Sequence, residues 1–472
     1  LGVRRGLPAT TGAAALAPLL AGCISLAPTY HRPPAPVATT VANSYGAAPQ
    51  APPRPQSWRA FFGDPRLQQV VELGLAHNRD LPAAVANVQI ARAGWLGQRA
   101  QLFPSLTAQF GANGSRTHAG AAGIPGVTGA FVEQTQSAQI AVPSYELDLF
   151  GRLRSLTRQA QEQYFANRAA RDAAQISLVG GIAQAWLTVG SDRSLEAISK
   201  ATLAETSASL ALTKAELDNG EATQSDVDQA QGLAAQAKYD VVRYSTQIAE
   251  DRDALDLLVG ARVPDDLLPA GVDDETRLMG ELPTGVASSV LLGRPDVVEA
   301  EDQLKGANAN IGAARAAFFP DITLTGSAGV TSARLASLFV PGSESWSYAA
   351  QITQPIFEWG KNRAGLMQAK AQRDLAKANY EKAIQTAFRE VADALAQRAT
   401  IDSELSALGA QVNANADAVR LIRAQFSHGT ASELDVLTAE SNLYAAQATL
   451  TSAQLLKATN LVALYQALGG GL

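Results

Sequence analysis

Most of this chain is written twice, and that repeat limits its possible folds more than any other feature. Residues 80–104 (DLPAAVANVQIARAGWLGQRAQLFP) align with residues 296–320 (DVVEAEDQLKGANANIGAARAAFFP), so Phe103-Pro104 falls on Phe319-Pro320, 216 positions later. Further along, Gly151-Arg152 falls on Gly360-Lys361, Asn219-Gly220 on His428-Gly429, and Asp226-Val227 on Asp435-Val436, each 209 positions later. The offset drops once, from 216 to 209, between Pro104 and Gly151. The first copy therefore carries a loop seven residues longer at that point. Two equivalent halves are expected within the 472 residues.

Each half changes its hydrophobic period in the same order. Residues 80–103 read as helix, with Ala84, Val88 and Ala91 on one face, and Pro104 ends it. The period then becomes two: Leu106, Ala108, Phe110 and Ala112 alternate with Thr107, Gln109, Gly111 and Asn113. The second half alternates in phase, with Ile322, Leu324, Gly326 and Ala328 against Thr323, Thr325, Ser327 and Gly329. Returning strands carry Ala138, Ile140 and Val142 in one half, and Tyr348, Ala350 and Ile352 in the other. The hairpin strands are expected at about 105–143 and 321–356, with strands near the 9–11 residues that cross a bilayer as part of a barrel.

Long helices follow at 151–218 and 360–427, then return helices at 222–260 and 431–468. Leu203, Leu210 and Leu217 stand seven apart, as do Val412, Val419 and Phe426. Val227, Ala230, Ala234, Ala237, Val241, Tyr244 and Ile248 step by three and four, as do Val436, Ala439, Leu443, Ala446, Leu450 and Ala453. Such spacing, rich in small residues, makes a coiled-coil seam. A helix of about 67 residues spans roughly 100 Å. The protomer is expected to be a rod, mainly α, with two tandem repeats at 58–260 and 294–472 joined by a linker at 261–293.

Composition excludes several classes. Charged residues are 17% and aromatics 6%, while hydrophobic residues reach 47%, much of it alanine, which favours close helix packing over a thick aromatic core. The formal charge is −6 and the isoelectric point near 5.4, so no nucleic-acid partner is expected. One cysteine rules out a disulfide framework, and four scattered histidines (His31, His77, His118, His428) give metal or histidine chemistry little material. No His-Glu-x-x-His, P-loop or dinucleotide-binding glycine pattern occurs. Neither an enzyme nor a cofactor is expected.

The first 22 residues have the form of a secretory signal: Arg4 and Arg5, a short apolar run from 13 to 20, then Leu20-Ala21-Gly22-Cys23. That last tetrapeptide resembles the lipobox of bacterial lipoproteins, which implies acylation of Cys23 as the mature N-terminus. Ile24 follows it, where an aspartate would resemble an inner-membrane retention signal, so the outer membrane is favoured. Residues 23–57, rich in Pro, Ala and Thr, read as an extended tether with no core of its own.

The order of several motifs resembles the outer membrane factor family of tripartite efflux systems, in its lipoprotein, RND-type drug-efflux branch. They are Leu26-Ala27-Pro28-Thr29-Tyr30-His31-Arg32-Pro33, Asp148-Leu149-Phe150-Gly151-Arg152 and Arg294-Pro295-Asp296-Val297. Phe318-Phe319-Pro320, Gln354-Pro355-Ile356-Phe357 and the closing Tyr465-Gln466-Ala467-Leu468-Gly469-Gly470-Gly471 complete the set. The resemblance implies a homotrimer in the outer membrane, reaching into the periplasm. Four strands per protomer would build a shared twelve-stranded barrel, and the helices a hollow α-barrel. Residues near 58–78 and 255–292 would form an equatorial belt. The implied partners are a periplasmic adaptor, an inner-membrane pump and outer-membrane lipids. Elementary physics agrees that four strands cannot close a barrel, and an open edge is not tolerated in lipid.

At the helical hairpin turns, Gly220 and Gly429 can end helices in the left-handed conformation, and Thr223-x-x-Asp226 and Ser432-x-x-Asp435 resemble N-caps. Capping alone accounts for these residues. The resemblance adds adaptor docking at Gly220, Thr223, Gly429 and Ser432, and a periplasmic gate. Leu434 matches an apolar constriction, whereas Thr438 stands where an acidic residue is expected. An acidic ring must then come from Asp435, Glu433 or Asp226, with Gln229 as a further candidate.

The leading expectation is a passive exit duct for small molecules, drugs or toxic compounds among them. A type I protein-secretion channel shares the architecture, but the lipobox favours the efflux branch. A periplasmic coiled-coil adaptor would show one hairpin flanked by compact β-domains, not two hairpins with four strands.

Overall fold

The computed structural model describes residues 25–38, 40–41, 57–118, 129–272 and 286–471. Cys23 and the expected signal at 1–22 lie outside these residues, as do parts of the tether and of the 261–293 linker. The chain runs β1 (Thr40–Val41), α1 (Trp58–Phe61), α2 (Pro65–His77), α3 (Asp80–Ala100), β2 (Thr107–His118), β3 (Ala130–Glu146), α4 (Arg152–Asp218) and α5 (Gln224–Val259). It continues with β4 (Val286–Ala287), α6 (Pro295–Ala316), β5 (Asp321–Ser332), β6 (Glu344–Thr353), α7 (Lys361–Ser427) and α8 (Glu433–Ala467). Helices dominate, strands are few, and the elements recur in the same order in the two halves. The long α4 and α7 have 67 residues each.

The chain divides into two compact units, and both long helices contribute to each. The first unit holds a four-stranded antiparallel sheet in the order β2-β3-β5-β6. Its register sets Phe110 opposite Ala138 and Ala108 opposite Ile140; Ile140 then pairs with Ala328, and Ala328 with Trp346. Directly opposed residues share a face. One face therefore collects Phe110, Ile140, Trp346, Tyr348 and Ile352, all exposed, while the other carries Gln109, Gln139, Ser327, Ser347 and Thr325. A bulge between Val142 and Tyr145, where the chain reads Val-Pro-Ser-Tyr, shifts the register of β3 against β5.

Strands hand over to helices at two matched glycines. Gly151 and Gly360 have φ of 74° and 84°, a conformation that costs a Cβ-bearing residue about 1–2 kcal/mol. Phe150 stacks on Phe319 with ring centroids 4.6 Å apart, and Trp95 on Tyr164 at 5.8 Å. Glu146 pairs with Arg152, and Asp148 with Arg154 at 3.1 Å.

Among the described residues, the buried aromatics Trp58, Phe61, Phe62, Trp186, Tyr380 and Tyr465 all lie in the second unit. Phe61 stacks on Tyr465 at 4.7 Å, and Phe62 meets the same ring edge-on. Trp186, fully buried, donates its Nε1–H to the Leu267 carbonyl at 2.8 Å. A Cβ at Gly74 of α2 would lie 2.2 Å from Ile182 Cδ1, so a larger residue there would require the isoleucine tip to move. Arg294, in the matched Arg-Pro-Asp, pairs with Asp296 and Glu390 and donates to the Ala467 carbonyl, tying the end of α8 to the start of α6. An 18-residue window of α4 is apolar enough by composition to cross a bilayer, but half of it is buried inside the protein.

The stretch read from its Pro, Ala and Thr content as an extended tether is in part bonded to the rest of the chain. Residues 26–32 bond to α6, and Thr40–Val41 pairs with Val286–Ala287. Composition conceals this because the partners lie far away in sequence.

Candidate functional site

Two regions carry the chemistry of the molecule: the sheet of the first unit and the helical hairpin turns of the second. The sheet ends in two free edges among the described residues, β2 on one side and β6 on the other. Apolar side chains on one face, polar ones on the other and unpaired edges describe a segment of a barrel wall.

At the hairpin turns the two halves repeat one design. Gly220 (φ 78°) and Gly429 (φ 70°) end α4 and α7. In both, an amide reaches back five residues (Glu221 to Glu216 at 2.8 Å, Thr430 to Gln425 at 2.9 Å) while the glycine amide reaches back three. The return helices then open with reciprocal capping boxes. Asp226 Oδ2 accepts from the Thr223 amide at 2.8 Å and hydroxyl at 2.7 Å; Asp435 Oδ2 accepts from the Ser432 amide at 2.9 Å and hydroxyl at 2.6 Å. These bonds, the Thr223 and Ser432 hydroxyls first and their amides second, hold both fully exposed carboxyls below the usual range.

The candidate gate residues divide by direction. Leu434, Asp435 and Thr438 are exposed along one side of α8, with Gln229 exposed on α5. Leu434, Thr438 and Gln229 help line a 420 Å³ groove between α5 and α8. Glu433 points the other way. It is only 9% exposed, and its Oε1 accepts from Ser209 at 3.1 Å and from Thr213, both on α4.

Sequence reading missed this second surface. Ser199, Thr206 and Thr213, seven apart on α4 and buried, form a row of hydroxyls. Ser199, Thr206 and Thr213 each donate to the carbonyl four residues back, and the row meets Glu433 and Tyr444 of α8, the latter at 3.0 Å from Ser199. Arg423 of α7 bridges the helices, donating to Glu205 at 2.7 Å and to the buried Glu440 at 2.8 Å. The signal was present as hydroxyls spaced by three and four at 199, 202, 206, 209 and 213, overlapping the leucine heptad in the same helix.

Among the described residues no group of three or more His, Cys, Asp or Glu side chains could hold a metal ion.

Comparison with known proteins agrees with this geometry. Residues 70–261 and 286–470, the two halves, match the family described as outer membrane efflux protein. The toluene efflux pump outer membrane protein TtgC of Pseudomonas putida is 41% identical over 460 residues, covering 96% of this chain and 93% of that protein. Outer membrane protein OprJ of Pseudomonas aeruginosa is 38% identical over 464 residues, covering 98% and 96%. Among solved structures, a membrane protein from Pseudomonas aeruginosa superposes with a TM-score of 0.88 at 38% identity, covering 95% of this chain and 98% of the other. The open-state MtrE outer membrane channel of Neisseria gonorrhoeae gives 0.81 at 37% identity, covering 95% and 99%. With both halves matched and a tandem-repeat channel fold shared over nearly its whole length, the chain belongs to the outer membrane efflux protein family, a family of outer-membrane channels.

Proposed function

We propose that three copies of this chain close one twelve-stranded barrel in the outer membrane and one helical duct below it, forming the passive exit of a tripartite efflux pump. The observation that carries this reading is the sheet β2-β3-β5-β6, with two free edges and one exposed apolar face. In lipid both edges must find partners, and the partner at hand is another copy. Two copies would give eight strands, whose interior side chains fill; three leave an aqueous bore lined by the polar face.

The duct performs no catalysis and needs no cofactor. Energy comes from an inner-membrane pump, coupled through a periplasmic adaptor that docks on the turns at Gly220, Thr223, Gly429 and Ser432. Leu434 with Asp435 lies nearest the axis of the closed tip, with Thr438 behind them and Asp226 in the equivalent turn. Cys23 carries the lipid after removal of residues 1–22. Residues 58–260 and 294–472 act as the two repeats, with 261–293 in the equatorial belt. The relatives' names refer to toluene, solvent and antibiotic efflux, which supports small apolar or amphiphilic compounds as the cargo here in preference to secreted proteins. Expression with a matching pump and adaptor in an efflux-deficient host tests this: tolerance to toluene or hydrophobic antibiotics should rise, and no gain with any RND-type pump and adaptor would overturn it.

A further inference from the structure

The two hairpins of the sheet follow one design, so the joint inside the chain is a template for a joint between chains. Thr107 faces Ala141 in the first hairpin and Thr323 faces Gln351 in the second, which makes β2 the counterpart of β5 and β3 the counterpart of β6. Inside the chain β3 joins β5, with Ala141 opposite Ser327 and Ile140 opposite Ala328. The counterparts of those two strands are β6 and β2, which keep the free edges among the described residues. Carried across, the same register sets Gln351 opposite Gly111 of the next copy. Ile352 then meets Phe110, Tyr348 meets Gly114, Trp346 meets Arg116 and Glu344 meets His118.

Side-chain chemistry selects this register independently of the repeat. Ile352 and Phe110, both exposed in the single chain, meet on the apolar face; a slip by one residue would set Ile352 against Gln109 or Gly111 of the other face. Gly114 has no side chain to cover its strand, and the exposed Tyr348 ring supplies one, as aromatic residues do beside strand glycines. Inside the chain the charged and aromatic groups face residues that cannot use them. Trp346 stands opposite Ala328, Glu344 opposite Val330, Arg116 opposite Val132 and His118 opposite Ala130. Across the joint each gains a complement, the guanidinium an indole ring and the carboxylate an imidazole. The helix end of the sheet follows the same rule. Phe150 stacks on Phe319 within the chain, while their counterparts Trp359 and Phe103 are left 90% and 65% exposed.

We propose that β6 pairs with β2 of the next copy in this one register, fastened by an interchain clasp at the hairpin-loop end, Trp346 with Arg116 and Glu344 with His118, and by Trp359 on Phe103 at the helix end. The partner is a second copy of this chain, and the proposal rests on the shared barrel. It adds what free edges alone do not fix: which residues meet, and why the chain selects its own copies. Backbone pairing by itself accepts any exposed strand edge. A strand lacking the clasp residues would leave Arg116 and Glu344 without complements, which makes the joint selective.

Cysteine pairs in the full-length chain test the register. Ala350→Cys with Ala112→Cys, treated in isolated outer membranes with a short thiol-bridging bimane, should give a covalently linked trimer. The two positions stand on opposite edge strands of one protomer's sheet, so a bridge joins chains. Ala350→Cys with Phe110→Cys or with Gly114→Cys, each two residues out of register, should lose most of that product, and single-cysteine variants set the background from Cys23. The largest yield from a slipped pair overturns the register and leaves the shared barrel standing. So does no product from any pair while native mass spectrometry still finds three copies. No product and no trimer overturns the barrel and the joint with it. The clasp is read from the temperature at which the trimer dissociates in detergent. Arg116→Ala and Trp346→Ala should each lower it, and the double variant should lower it no further than the larger single loss. Additive losses overturn the clasp.

Discussion

Ser432 and Asp435 hold each other through three hydrogen bonds: the serine amide and hydroxyl both donate to Asp435 Oδ2, and the Asp435 amide donates back to the serine hydroxyl at 3.2 Å. Thr223 and Asp226 repeat the arrangement 209 positions earlier. The acidic residue proposed for the tip of the duct is thus first a helix cap. Ser432→Ala should destabilise the turn by about 1 kcal/mol, read as faster amide exchange over the first turn of α8. Unchanged exchange there would contradict the capping role.

The proposed constriction gives a separate electrical prediction. Three symmetry-related copies of Asp435 repel one another, so apolar contact from Leu434 must hold the tip closed. Leu434→Ser should raise single-channel conductance in a planar bilayer. Asp435→Asn should weaken cation preference and block by divalent ions. Parent-like behaviour in both variants would move the constriction elsewhere, with Asp226 and Gln229 tested next.

Arg423 should matter more than its surface position suggests. Exposed pairs contribute only about 0–1 kcal/mol, and Glu205, half exposed, belongs to that class. Glu440 is 6% exposed, so Arg423→Ala strands a buried carboxylate. Thermal unfolding should show Arg423→Ala more damaging than Glu205→Ala. Adding Glu440→Gln should recover part of the loss, and no recovery would dismiss the buried charge as the cause.

Asp192 supplies a pH prediction. Burial, then a hydrogen bond and repulsion from Asp251, raise its carboxyl to about 7, against the pull of Arg243. An acid whose folded value lies above its unfolded value favours folding while protonated. Its contribution is therefore intact below about pH 4 and lost as the pH rises toward 7. Asp192→Asn should raise the melting temperature at pH 8 more than at pH 4.5; equal shifts at both would contradict the raised carboxyl of Asp192.

Glu301 behaves in the opposite sense. Burial alone would raise its carboxyl, but Arg32, Lys305 and Tyr30 outweigh burial and hold it below the ordinary value. Its contribution is present above the unfolded value near 4 and lost as the pH falls through the folded value. Thermal unfolding should accordingly show Glu301→Gln costing as much at pH 5 as at pH 7, and costing less only in stronger acid. A cost that already falls between pH 7 and pH 6 would exclude this carboxylate as the group responsible.

Features that local chemistry dictates were legible in the sequence. The alternating strands, the glycines at 220 and 429 and the caps at Thr223 and Ser432 all follow from spacing within a few residues, and the repeat from aligning segments 209 or 216 positions apart. The apolar alternation even gave the shared face on which Phe110, Ile140 and Ile352 stand. Long-range pairs left no such trace. Glu301 and Arg32 are 269 positions apart, and Glu433 and Thr213 are 220 apart. Each residue alone reads as an ordinary surface side chain. Glu433 was accordingly placed with the gate candidates, although the fold turns it toward the hydroxyls of α4.

The account stands on the free edges of β2 and β6 meeting between chains, and the mass of the folded particle tests that most directly. Native mass spectrometry from detergent should find three copies, with strand content that falls when the trimer is dissociated. A well-behaved monomer that keeps its full strand content would contradict the shared barrel.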